Sequence, residues 1–163
     1  MIQSFKQLLS FGLILFLGIG TSYAQTKQVS TFGFDATDAS SALYKAMHSN
    51  SDTLIIDHQK SSWIIGPMVF SKINDKIIII EDGVEIRAKK EAFPNTSDAL
   101  LKFSDCSNIK ILGTGNKLCM NKSEYTDGEW RHGISLRNCS DITIKNLEIH
   151  NSGGDGIYIS GTK

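Results

Sequence analysis

Short runs in which apolar residues alternate with polar ones fill most of this chain after Leu54, and few folds accept so many of them in a row. The pattern is plainest in His132–Ser160, HGISLRNCSDITIKNLEIHNSGGDGIYIS. Ile134 and Leu136, Ile142 and Ile144, and Leu147 and Ile149 form three alternating pairs, separated by polar or glycine-bearing corners. Alternation at period 2 puts the aliphatic side chains on one face of a strand and the polar ones on the other. At Ile157 the pattern begins again, 23 residues after Ile134.

The same offset recurs upstream. Ile55, Ile78 and Leu101 are spaced by 23, as are Trp63, Ile86 and Ile109. Ile65, Ala88 and Ile111 follow two positions later, continued by Ile144, and Met68 and Phe70 align with Leu147 and Ile149. Between Ile111 and Ile134 the spacing grows by ten residues, which places a loop at 121–132. Glu91 and Phe93 fall at third-strand positions of the second coil, and Asp57 is an acidic misfit beside the first strand. Repeated strands of like residues can stack through parallel ladders, each unit burying the face that its neighbour leaves open. The expected fold is therefore all-β: a right-handed parallel β-helix of about 23 residues per coil. Hairpin turns of two to five residues would have pointed to an antiparallel sandwich instead.

One helix is expected ahead of the strands. Ala39, Ala42, Leu43, Ala46 and Met47 lie on one helical face, and Thr37 or Asp38 can cap its start. This helix reads as the cap of the N-terminal end. Residues 1–24 read as a secretory signal: Lys6, the apolar run 8–20, and Ser22-Tyr23-Ala24 before Gln25. The division expected is thus 1–24 signal, 25–53 N-terminal segment with capping helix, and 54–163 coils. Nothing near Lys163 reads as a cap, so the expectation is an N-terminal part of a longer protein. Without Lys6, the 17 basic residues become 16 against 17 acidic ones, too balanced for a nucleic-acid binder. The expected location is secreted or periplasmic, with no membrane contact after cleavage. Cys106, Cys119 and Cys139 are odd in number and read as buried free thiols.

Phe32-Gly33 ahead of the helix, the corner and strand Asn138-Cys139-Ser140-Asp141-Ile142-Thr143-Ile144, and Gly154-Asp155-Gly156-Ile157 together resemble the pectate-lyase superfamily of β-helix proteins. The resemblance spans essentially the whole chain after the signal. It departs at Asp35-Ala36-Thr37-Asp38, which lacks that family's usual Gly-Asp-Gly. It implies a polysaccharide partner, and lyase or glycoside hydrolase chemistry on an acidic, uronate-containing glycan. The alternative is a non-catalytic binding or adhesion module, because fold alone does not assign chemistry.

The loop before Ile134 is the strongest functional candidate. Tyr125, Glu129, Trp130, Arg131 and His132 combine aromatic, acidic and basic groups, as a sugar ring and its hydroxyls require. Arg131 is expected to fork onto a uronate carboxylate. Asp155 is the candidate catalytic carboxyl, on the likeness of its Asp-Gly-Ile context to polygalacturonases, with His150 as a candidate base. No cofactor is expected. A lyase would call for Ca²⁺, although no acidic run with calcium-ligand spacing occurs.

Overall fold

A computed structural model of the chain describes residues 25–163; the expected signal segment lies outside them. The chain opens with β1 (Thr26–Gln28), a 3₁₀ turn at Val29–Phe32, and the helix α1 (Ser40–Met47). The following strands are β2 (Thr53–Ile56), β3 (Trp63–Ile65), β4 (Met68–Ser71), β5 (Asn74–Ile80), β6 (Glu85–Ala88) and β7 (Ala99–Ser104). The last four are β8 (Ser107–Cys119), β9 (His132–Arg137), β10 (Ser140–His150) and β11 (Ile157–Ser160). Every pairing is parallel. Seven strands form one sheet, ordered β1-β2-β5-β8-β6-β3 with β10 also paired to β8. The other four form a second sheet, ordered β11-β9-β7-β4.

This arrangement corrects the expected all-β, right-handed β-helix of 23-residue coils. The described residues are mostly parallel strands in two sheets, with one α-helix, and their register does not keep a uniform 23-residue repeat. Leu101 does not lie beside Ile78; it pairs with Met68 and Ile134 in the smaller sheet, while Ile78 pairs with Leu54 and Ile111 in the larger. Ile86 lies beside Leu118, not Ile109, and Leu147 and Ile149 pair with Asn116 and Leu118, not in line with Met68 and Phe70. Several expected neighbours do pair: Trp63 with Ile86, Ile65 with Ala88, Leu101 with Ile134, Ile109 with Ile142, Ile111 with Ile144, and Ile134 with Ile157. The physical reason is that alternation fixes which face a side chain takes, whereas loop length decides which strand lies alongside. Two loops are long, 89–98 and 120–131, and the first of them contains Glu91 and Phe93, which were expected in a strand.

Corner residues hold the register where neighbouring segments lie 33 residues apart. Asp75, Asn108 and Asp141 all take positive φ (56°, 51° and 55°), and the Asn108 amide donates to the Asp75 carboxylate at 2.7 Å. Ser107 donates to Asn74 Oδ1 from both its N–H and its hydroxyl, at 2.9 and 2.7 Å. Asn and Asp tolerate this left-handed conformation better than other residues that carry a Cβ.

A single apolar core joins the two sheets and the helix. Leu54, Ile80, Ile109 and Ile111 come from the larger sheet, Phe70, Phe103 and Ile134 from the smaller, and Leu43 and Met47 from α1. The helical face is the expected one: Ala42, Leu43, Ala46 and Met47 are buried. The N-cap position falls on Ala39, not on Thr37 or Asp38, although Asp38, one residue earlier, accepts the Ser40 N–H at 3.0 Å. Asp57, the acidic misfit, is buried because its carboxylate accepts the Ser30 N–H at 3.0 Å and the Gln59 amide at 2.6 Å. All three cysteines are free and buried. Cys106 and Cys139 each point the thiol at main-chain carbonyls, and burial raises the pKa of Cys106. Cys119 donates to Glu85 at 3.2 Å; burial, then that carboxylate, pushes its thiol up to about 11.

Candidate functional site

The two long loops lie against each other at the start of β9. Arg131 joins them, with φ +68° and a side chain almost wholly buried. Its Nε donates to the Phe93 carbonyl at 2.8 Å and an Nη donates to the Pro94 carbonyl at 3.0 Å. The other Nη lies 2.8 Å from Asp127 Oδ1, an ion pair without an aligned N–H···O bond. Tyr125 lies under the guanidinium, 5.1 Å from ring centre to Cζ, and also packs on Phe93. Its hydroxyl accepts the Asn121 N–H at 3.3 Å. Arg131 and Tyr125 are therefore fastened into the loop junction. A shallow cavity of about 420 Å³ lies beside them, lined by acidic groups such as Glu91, Glu124 and Asp127.

The corner 151–156 packs directly on that loop, and glycine makes the approach possible. A Cβ at Gly154 would lie 2.5 Å from the Glu129 carbonyl and 3.0 Å from His132 Nδ1. A Cβ at Gly153 would meet the Trp130 carbonyl at 2.5 Å and the Tyr125 ring at 2.7 Å. Contacts that short force the main chains apart. Gly154→Ala is thus expected to separate the corner from the loop and cost roughly 1–3 kcal/mol, measurable by chemical denaturation.

With the corner seated, His132 and Asp155 come together across 23 residues. The Asp155 N–H donates to His132 Nδ1 at 3.0 Å, and an Asp155 carboxylate oxygen lies 3.6 Å from the same nitrogen. An accepting Nδ1 leaves the proton of neutral imidazole on Nε2. That Nε2 is buried and has no partner. The ring stacks on Tyr158, with centroids 4.6 Å apart and planes 11° off parallel, and meets Trp130 edge-on at 6.1 Å. Trp130 is half exposed, and the Asp155 carboxylate is open to solvent. The Arg137 guanidinium also lies over the Tyr158 ring, at 5.4 Å from its centre.

Burial lowers the His132 pKa; the Asp155 carboxylate pulls it up, and the Arg137 charge pulls it down. A histidine whose folded pKa is depressed binds fewer protons folded than unfolded. Its contribution to stability is full above the unfolded value of about 6.5 and is lost as pH falls from there through the lower folded value. His132→Gln is expected to flatten the fall in melting temperature between about pH 7 and pH 5; an unchanged fall would place that pH dependence on other groups.

The candidate residues thus divide. Trp130, His132 and Asp155 share one corner, with the Glu129 main chain against it. Arg131 and Tyr125 are held in the loop junction. His150 is exposed at the end of β10, its ring 2.9 Å from Glu148, and does not pair with the corner. Tyr158 and Arg137 complete the corner and are not among the residues that the sequence singles out. The signal for them was their place on the polar side of the Ile157–Ile159 and Ile134–Leu136 alternations. Among the described residues no group of three or more His, Cys, Asp or Glu side chains is arranged to hold a metal. The Asp155 carboxylate and the His132 imidazole do not by themselves supply the six to eight oxygens that Ca²⁺ takes. No helix of the described residues is long and apolar enough to cross a membrane.

No protein-family model matches the chain, and no curated protein matches it in sequence. In three dimensions it is similar to the crystal structure of a "putative glycosyl hydrolase" from Parabacteroides merdae ATCC 43184, with a TM-score of 0.56 and 15% identity. The match covers 85% of this chain and 83% of the other. At that identity the likeness concerns the fold: the two chains share an arrangement of the backbone over most of their lengths.

Proposed function

We propose that the protein is an exported carbohydrate-active protein that takes an acidic polysaccharide at the Trp130–His132–Asp155–Tyr158 corner. The observation that carries this reading is the half-exposed Trp130 beside a buried, partly unpaired His132 and an open carboxylate. An indole face covers the C–H side of a sugar ring, and the polar groups around it meet the hydroxyls. The fold shared with a protein described as a glycosyl hydrolase supports the same class.

In a hydrolase at this corner, Asp155 is one of the two carboxyls that glycoside cleavage needs, and Glu129, whose main chain packs on Gly154, is the candidate for the other. In a lyase, Asp155 would be the proton acceptor, because the Nδ1 lone pair of His132 is already engaged. That same engagement favours the second reading, a non-catalytic binding module, in which His132 only donates from Nε2. Trp130→Ala is expected to weaken oligosaccharide binding about tenfold in calorimetry while leaving the melting temperature unchanged. Unchanged binding would overturn the reading. Asp155→Asn separates the two forms: turnover lost with binding kept marks an enzyme, and an absence of turnover in the unaltered protein marks the module.

A further inference from the structure

Among the described residues, four buried side-chain nitrogen or oxygen atoms lack a hydrogen-bond partner: Arg131 Nη1, His132 Nε2, Ser135 Oγ and Arg137 Nε. All four fall within seven consecutive residues, along β9 and its approach. The first has Asp127 beside it as a counter-ion. The other three have nothing. Buried polar atoms in folded proteins are paired with few exceptions, and a cluster of exceptions calls for its own account, such as strain, an ordered water, an ion or a ligand.

The three atoms gather around Tyr158. Ser135 is the register neighbour of Tyr158 on one side and of Lys102 on the other. Arg137 stands two residues on from Ser135, on the same side of the strand and opposite to buried Ile134 and Leu136. Its guanidinium covers the Tyr158 ring, and His132 stacks on that ring. No carboxylate among the described residues lies within salt-bridge distance of Arg137, although Asp155 is close enough to act on His132. Arg137 and His132 thus pack on one aromatic ring beside the Ser135 hydroxyl, with no carboxylate to answer Arg137, while Lys102 on the neighbouring strand donates to the Ser97 carbonyl at 3.3 Å.

We propose that Arg137, with Ser135 and the Nε2–H of His132, recognises a negatively charged substituent on the glycan, a carboxylate or a sulfate ester. The proposal rests on the carbohydrate reading and assigns its charge selectivity to Arg137 in place of the buried Arg131. A guanidinium presents paired N–H groups that match two oxygens of one oxyanion, and Tyr158 holds the plane of the fork beneath the sugar.

The test is calorimetry with four probes: a uronate oligosaccharide, its methyl ester, a sulfated neutral oligosaccharide, and an unsubstituted neutral one. The expected result is that one charged probe binds at least about tenfold tighter than its uncharged counterpart, and which one does so identifies carboxylate or sulfate. Arg137→Gln is expected to erase that preference, and Arg137→Lys to keep only part of it. Ser135→Ala removes an unpartnered hydroxyl, so the melting temperature is expected to hold or rise while affinity for the charged probe falls; a purely structural role would not produce that pair of results. A charge preference that survives in Arg137→Gln, or in Arg137→Lys at full strength should the first variant not fold, overturns the proposal. Equal binding of all four probes, abolished by Trp130→Ala, overturns it while leaving the carbohydrate reading standing. Binding of none of them overturns both.

Discussion

Arg131→Ala is expected to lower stability by about 2–4 kcal/mol. The guanidinium satisfies the Phe93 and Pro94 carbonyls from within the loop junction and covers Tyr125. Truncation leaves two acceptors short of their donors, opens a void above the Tyr125 ring, and releases loop 89–98 from loop 120–131. The cost of stranded buried groups exceeds the small net worth of a formed hydrogen bond. Asp127, at the solvent end of the ion pair, is mostly exposed, so Asp127→Ala is expected to change the melting temperature little. The pair of variants, followed by chemical denaturation, separates two roles for Arg131. A guanidinium free to bind a uronate would leave stability unchanged on truncation and remove only binding. A structural guanidinium gives the reverse order, with stability lost first and binding lost only as a consequence of the loosened loops.

Phe103→Ala is expected to be costlier, at about 3–5 kcal/mol. Phe103 is among the largest fully buried side chains and packs on Phe70 with ring centroids 5.2 Å apart. The two are direct register partners of β4 and β7, and Leu136 follows on β9. Deleting the ring removes its transfer free energy and leaves a cavity that parallel strands, tied on both edges, cannot close. The result also bears on register. Under the corrected pairing Phe103 is a central residue of the smaller sheet and Leu147 is a half-buried one on β10. Leu147→Ala is accordingly expected to cost less than Phe103→Ala. Equal costs would argue for the uniform 23-residue alignment that the structure replaces.

Much of the secondary structure could be read from alternation, because a strand with one buried face must show it. The helix face, the pairs Trp63–Ile86, Ile109–Ile142 and Ile134–Ile157, and the loop before β9 all follow from local pattern. Which strand lies beside which did not follow. Ile78 and Leu101 have the same alternation and the right spacing, yet sit in different sheets because loop 89–98 adds length that composition alone does not reveal. The site was legible in the same uneven way. Trp130, His132 and Asp155 are candidates by residue type and proximity to strand ends, and the structure brings them to one corner. Arg131 looked available because sequence shows its charge and not the two carbonyls that occupy it. Arg137 and Tyr158 were overlooked because their meeting depends on lateral register between β9 and β11.

The most direct measurement of the central claim uses the chain's two tryptophans. Trp63 is 1% exposed in the core and Trp130 is 50% exposed at the corner, so any glycan-dependent change in indole fluorescence reports on Trp130. Titration with an acidic oligosaccharide is predicted to give a saturable change that Trp130→Phe abolishes, with a midpoint matching the calorimetric affinity. Calorimetric binding with no change in fluorescence would put the glycan elsewhere on the molecule and contradict the account.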